Sequence, residues 1–336
     1  MIRKIILLCD ALMILMLVTS CFKEDEAIPR HPRGNVHTDT IGMTENYLYQ
    51  VYFDLSDSAV RSRVVKTSTD FGFDSRSGGW QIILNTADFM KAADIGAQPF
   101  GGSYDTTGVH WKFDKSSGDP DSLALGRWFD VVQGDTVSNG HLYLINRGMD
   151  EVGNSLGLMQ LMIDSLKNGT YYFRWAKING SNPVSASVTR DPLVNFVWYS
   201  LSGSGSVQHP EPPEGSWDIL FTQYTSLLFT DKGAAYPYLV TGVLLNRSGV
   251  SATVDSTHSF ADINLEFAKS LTLKPNLDVI GYEWKTYSFS SGGYTVLPGL
   301  NYIIRDKAGY FYKLRFVGFY NSSGQKGYPV IEFQTL

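Results

Sequence analysis

Apolar residues in this chain fall in short runs that alternate with polar ones, separated by clusters of Gly, Ser, Asn and Asp. Residues 47–55, 140–146, 170–178, 237–245, 301–305 and 310–320 carry the pattern, rich in Tyr, Phe, Val and Ile. A period of two sends one set of side chains to a core and the other to solvent, as an antiparallel sheet with one covered face requires. Only 85–95 and 156–166 also admit a helical reading. The pattern therefore predicts an all-β, antiparallel protein without βαβ units.

A second regularity lies over the first. The stretch Gly215-Ser216-Trp217-Asp218-Ile219-Leu220-Phe221, a tight turn running into a buried strand, is echoed at Gly78-Gly79-Trp80-Gln81-Ile82-Ile83-Leu84. Upstream, Gln50-Val51-Tyr52-Phe53-Asp54-Leu55-Ser56 matches Phe196-Val197-Trp198-Tyr199-Ser200-Leu201-Ser202. Downstream, 140–145 matches 299–304 and 169–175 matches 327–333. Landmarks repeated in one order indicate internal duplication. The division that follows is two tandem β modules, 44–178 and 193–336, joined by a polar linker, 179–192, with Pro183 and Pro192. Residues 203–216 read as a long loop of the second copy, ordered by the first.

The start of the chain is of another kind. Residues 1–20 open with Arg3 and Lys4, continue through an apolar run broken by Asp10, and end in small residues before Cys21. The run is too short for a membrane span and fits a lipoprotein signal peptide. Cys21 is then the lipidation site, its acyl chains (palmitate among them) anchoring the protein in outer-membrane lipid. Lys23, Glu24, Asp25 and Glu26 directly behind it resemble the surface-export signal of lipoproteins displayed on the outer leaflet. Residues 21–43 read as a flexible tether reaching about 25 Å. The other cysteine, Cys9, leaves with the leader, so the modules have no disulfide, thiolate metal site or Cys nucleophile to call on.

Removing Arg3, Lys4 and Asp10 leaves 26 basic against 32 acidic residues, a mildly acidic chain with no basic cluster among its aromatics. Nucleic acid is excluded as an expected partner. The usual catalytic signatures, a G-x-S-x-G elbow, H-E-x-x-H, a P-loop or C-x-x-C, are missing, and the expectation is a protein that is not an enzyme.

Three features retain binding chemistry. His110 and His141 both fall in the first copy, the first preceding an aromatic run and the second opening a strand, and neutral imidazole is a good axial ligand for haem iron. Met149 lies nearby in sequence with a thioether that also ligates haem, and Trp111 and Tyr143 are candidates for stacking on a macrocycle. Asp114, Asp119 and Asp121 crowd hard oxygens into one loop, which a hairpin turn or a Ca²⁺ site would both use. Aromatic residues make up 13% of the chain, enough for outward-facing platforms that stack on a porphyrin, a corrin or a sugar.

The lipobox with its acidic stretch, the Tyr52-Phe53-Asp54-Leu55-Ser56 strand, the Trp217-Asp218-Ile219-Leu220-Phe221 motif and the closing aromatic hairpin together resemble the HmuY family of haem-binding surface lipoproteins. The resemblance is clearest at 197–202, 217–221 and 302–331. It implies an all-β protein that captures haem for iron acquisition and passes it to a TonB-dependent outer-membrane receptor. It also implies two His or Met ligands on loops beyond the Trp motif, the region of His110, His141 and Met149. The second copy has one His there, His258, which leaves room for a corrinoid in place of haem. The alternative is a glycan-binding or adhesive surface lipoprotein using the aromatic platforms without a metal.

Overall fold

The computed structural model describes residues 34–336, apart from Gly134 and Ser291. Cys21, the leader and most of the tether lie outside the described residues. Every strand pairing within them is antiparallel. None of the described helices is long and apolar enough to cross a membrane.

The strands form two equivalent sets. In the first lobe a five-stranded sheet runs Val184–Thr189, Thr170–Lys177, Leu158–Lys167, Leu142–Asn146, Lys91–Asp94, beside a four-stranded sheet of Ser206–Gln208, Phe196–Ser200, Phe71–Asp74 and Ile82–Leu84. In the second, the order His37–Thr40, Lys326–Thr335, Phe311–Tyr320, Asn301–Arg305, Ser251–Asp255 repeats the first sheet. Ala59–Val65, Tyr49–Asp54, Ile219–Phe229 and Ala235–Leu245 repeat the second. Each lobe adds a two-stranded hairpin, Phe129–Val132 with Asp135–Ser138 and Lys285–Ser288 with Gly293–Val296.

Alternation builds each core. Along Thr170–Lys177 the residues Tyr171, Phe173 and Trp175 are buried while Tyr172 and Arg174 face outward. Rings such as Phe173, stacked 4.9 Å from Phe73, each stabilise the fold by about 1.5–3 kcal/mol through burial.

The cores do not follow the division at 44–178 and 193–336. One gathers residues from Phe71 to Leu201, the other joins Ile41–Leu55 to residues from Ile219 to Phe333. The opening strands of each sequence repeat thus sit in the lobe built by the other: Tyr49–Asp54 pairs with Ile219–Phe229, and Phe196–Ser200 with Phe71–Asp74. The segment 179–192 is no free linker, since Val184–Thr189 is a strand paired with Thr170–Lys177. The tether reading ends early as well, because His37–Thr40 pairs with Lys326–Thr335 and His37 stacks on Phe333.

The echo at Trp80 is also out of step. Sheet order makes Asp70-Phe71-Gly72-Phe73, rather than Gln81-Ile82-Ile83-Leu84, the counterpart of Asp218-Ile219-Leu220-Phe221. The side chains agree: Asp70 Oδ2 accepts from the Leu201 N–H at 2.6 Å, and Asp218 Oδ2 from the Leu55 N–H at 2.8 Å. Each aspartate pins the end of the exchanged strand. In the first lobe Arg147 neutralises it, through Nε to Oδ1 at 2.6 Å and Nη2 to Oδ2 at 3.0 Å. Among the described residues no cation forms an ion pair with Asp218, and burial, with Asp54 and Asp306 nearby, outweighs the more distant Arg61 and pushes its carboxyl up to about 7.

Neither ambiguous stretch is an α-helix: Leu158–Lys167 is a strand, and 85–95 holds a short 3₁₀ turn followed by Lys91–Asp94. The α-helix among the described residues, Leu265–Ser270, is capped by Asn264 Oδ1 accepting from the Phe267 N–H at 2.9 Å. Six residues are too few for a period of 3.6 to be visible in sequence.

Candidate functional site

The strand Lys91–Asp94 is flanked on one side by Leu142–Asn146 and on the other by Lys112, which bridges to Ala92. His110 lies two residues before Lys112, and His141 immediately precedes Leu142, so antiparallel register brings both toward the Asp94 end. Their backbones are separated by two strand spacings, roughly 10 Å. His110 is exposed and Trp111 half-buried.

His141 is the better fixed of the two. Its Nδ1 lies 2.9 Å from Asp94 Oδ2, while Asp94 Oδ1 accepts from the Gly96 N–H at 2.8 Å and the His141 N–H donates to Asn139 Oδ1. A carboxylate at Nδ1 requires that nitrogen to donate, which leaves the Nε2 lone pair free; carboxylates hold metal-ligating imidazoles in this way. About a third of the ring is exposed.

Two companions predicted for this site do not belong to it. Tyr143 is 1% exposed, in the core, where burial pushes its phenol up to about 12, so no macrocycle can stack on it. Met149 lies beyond the other end of Leu142–Asn146, its N–H donating to the Asp88 carbonyl. A five-residue strand is about 17 Å long, too far for Met149 and His141 to share one iron. The Asp114 loop is no calcium site either: Asp114 is turned inward, accepting from the Leu84 and Ala124 N–H groups, both at 2.7 Å. Ser116 and Ser117 of that loop bond Asp278 and the Leu277 N–H, strapping the lobes together. Among the described residues no group of three or more His, Cys, Asp or Glu is arranged to hold a metal ion.

The second lobe carries an aromatic face that the sequence reading did not single out. Beyond its short pairing with Tyr49–Asp54, the hairpin of Ile219–Phe229 and Ala235–Leu245 exposes Phe229, Tyr236 and Tyr238. The neighbouring hairpin exposes Tyr287 and Phe289, the latter 93% exposed. Tyr287 meets Tyr294 and Phe289 edge-on at 5.0 and 5.1 Å, and the phenols of Tyr238 and Tyr287 are among the groups that push Tyr294 upward, after burial. At the base of this hairpin Lys285 lies 4.1 Å from the Trp284 ring, and burial pulls its ammonium down to about 7. The signal was present as Tyr236-Pro237-Tyr238 and Tyr287-Ser288-Phe289, i and i+2 spacing that puts both rings on one side of a strand.

No curated protein sequence matches the chain. Among solved structures it is similar to apo PinO from Porphyromonas gingivitis, at 10% identity over 90% of this chain and 97% of the other, with a TM-score of 0.28. It is also similar to the apo HmuY analog (TFO) of Tannerella forsythia, at 9% identity over 91% and 98%, with a TM-score of 0.26. A third likeness, to an HmuY-like heme binding protein of Bacteroides vulgatus, has 15% identity over 52% and 90%, with a TM-score of 0.18. With scores this low the assignment rests on sequence, where the HmuY protein family matches residues 46–333 in one stretch. Spanning strands of both lobes, that match shows that the chain belongs to the HmuY family.

Proposed function

We propose that this protein binds haem or a related tetrapyrrole at the cell surface, anchored to the outer membrane through Cys21, and passes it to a TonB-dependent receptor. The observation that carries the reading is the posture of His141, an imidazole oriented by Asp94 with Nε2 free for iron. His110, exposed at the same strand end, would be the second residue to hold the iron. The protein's own part is to hold these nitrogens in place and offer apolar surface to the ring; the redox and ligand chemistry is that of the bound metal. His141 alone would be enough to hold the metal of a corrinoid in place of haem.

A second reading is favoured by a different observation, the exposed rings of Tyr236, Tyr238, Tyr287 and Phe289. Such a platform suits stacking on sugar rings, and the function would then be glycan binding or adhesion without a metal. Visible absorption titration of the full chain with haem separates the two. A Soret shift at one equivalent that is lost in His141→Ala and reduced in His110→Ala supports the first reading. A shift retained in both histidine variants but lost in Tyr238→Ala moves the macrocycle to the aromatic face. The absence of any shift, followed by binding on a glycan panel, supports the second reading and sinks the first.

A further inference from the structure

The two four-stranded sheets meet along a cavity of about 120 Å³ to which both lobes contribute. Its wall is mostly apolar, with Leu84, Leu220, Leu244 and Leu277 among its residues. Three buried polar atoms of residues in that wall have no hydrogen-bond partner: Trp198 Nε1, Trp217 Nε1 and Asn195 Oδ1. Trp217 and Asn195 are 7% and 1% exposed. An unpaired buried donor costs about 1–3 kcal/mol, so two indole N–H groups at one cavity are expensive unless something there accepts from them.

The same wall holds a cation with no direct ion-pair partner among the described residues, although Asp74, Glu211 and Asp114 are near enough to favour its charge. Arg247 donates to Gln81 Oε1 at 2.9 Å and lies over the Phe196 ring, but it makes no ion pair among the described residues. Burial pulls its guanidinium down to about 10. The two carboxyls in the wall do not neutralise it directly. Both Asp114 oxygens accept from backbone N–H groups, and Glu211 accepts from the Asn195 and Phe196 N–H groups and from Asn195 Nδ2 at 2.6 Å. Burial raises both, to about 6 and about 7. The wall therefore combines a guanidinium, two free indole donors, two carboxyls already engaged by backbone N–H groups and a mostly apolar remainder.

We infer that the cavity between the lobes is a binding site for a small organic acid, whose carboxylate takes the Trp198 and Trp217 indole N–H groups and Arg247 while its hydrocarbon part lies against the leucines. A cavity of about 150 Å³ lined by Leu, Ile and Phe holds benzene, so the occupant is of the size of a short-chain or single-ring acid. Asn195 Oδ1 accepts from a hydroxyl substituent or from a water admitted with the ligand. The site is separate from the Asp94–His141 edge and does not depend on the tetrapyrrole reading.

The test uses the full chain with butyrate and benzoate as probes and benzamide as the uncharged analogue of benzoate, followed by calorimetry and by tryptophan fluorescence. One acid is expected to bind saturably at one equivalent and to bind at least about tenfold more tightly than its amide, the margin of a charge-assisted hydrogen bond. Trp217→Phe and Trp198→Phe keep the ring and remove only the N–H. Each is expected to weaken binding several-fold with the circular dichroism spectrum unchanged, and Arg247→Gln to weaken it more. Failure of both acids to bind at millimolar concentration overturns the inference. So does binding that all three variants leave untouched, or a crystal grown with benzoate that shows only water between Trp198 and Trp217.

Discussion

Asp218→Asn isolates the asymmetry between the two strand-pinning aspartates. Asp218 is 7% exposed and accepts the Leu55 N–H, but among the described residues no arginine pairs with it as Arg147 pairs with Asp70. Its carboxyl titrates at about 7 in the folded chain against an ordinary 3.8. Because the folded value is the higher one, the native state holds a proton that the unfolded chain has already released, and stability falls as pH rises between these values. Integrated from pH 5 to pH 8, this one group removes about 2–3 kcal/mol, almost all of it below pH 7.5. Asparagine retains an acceptor for Leu55 and cannot ionise. Urea unfolding of both proteins at half-unit intervals should give a variant whose advantage over the parent grows by that amount from pH 5 to pH 8. A constant difference across the range, or a variant that loses ground as pH rises, would refute the reasoning about Asp218.

Three further outcomes are expected. Asp70→Asn should destabilise the first lobe by about 3–5 kcal/mol in urea unfolding, because it strands the buried Arg147 guanidinium without its counter-charge. Gly327→Ala should lower the melting temperature by the equivalent of at least about 1–2 kcal/mol, since φ is +85° there and a Cβ would collide with the Thr44 carbonyl. Lys285→Met should stabilise the second lobe, with the gain complete at and below about pH 7 and fading toward pH 10.5. Lys285 has its folded value depressed by burial, so its penalty is felt where the unfolded chain is protonated. Thermal melts at pH 6 and pH 10 would check it, and equal gains at both would count against the assignment.

Strand character was legible in the chain because it depends on local alternation. The pairs 50–56 with 196–202, 140–145 with 299–304 and 169–175 with 327–333 occupy equivalent positions in the two sets of strands. Partnership was not legible. Nothing local to Tyr49–Asp54 records that one of its two neighbours, Ile219–Phe229, comes from the other repeat while the second, Ala59–Val65, comes from its own. The Trp217 motif was paired with Trp80 because tryptophan is conspicuous, whereas the shared chemistry lay in Asp218 and Asp70, whose task appears only when the Leu55 and Leu201 N–H groups arrive. The site divides in the same way. Proximity in sequence put Tyr143 and Met149 beside His141, but strand pleat buries the first and strand length removes the second. Asp94, the residue that orients His141, comes from a strand 47 residues earlier.

The reciprocal exchange of strands also sets the order in which this chain can be completed. A ribosome must deliver Phe196–Ser200 before the first lobe has its inner sheet, and it must deliver Lys326–Thr335, about 290 residues after His37–Thr40, before that strand finds its partner. Pairings between such distant segments form slowly. Residue 34 and the segment 334–335 lie side by side as a result, with the Gly34 N–H on the Thr335 carbonyl and Gln334 Nε2 on the Gly34 carbonyl. Joining residue 336 to residue 34 and opening the chain between residues 65 and 71 would therefore make the second lobe a continuous sequence. Such a permutant should refold faster than the natural order while keeping every sheet intact.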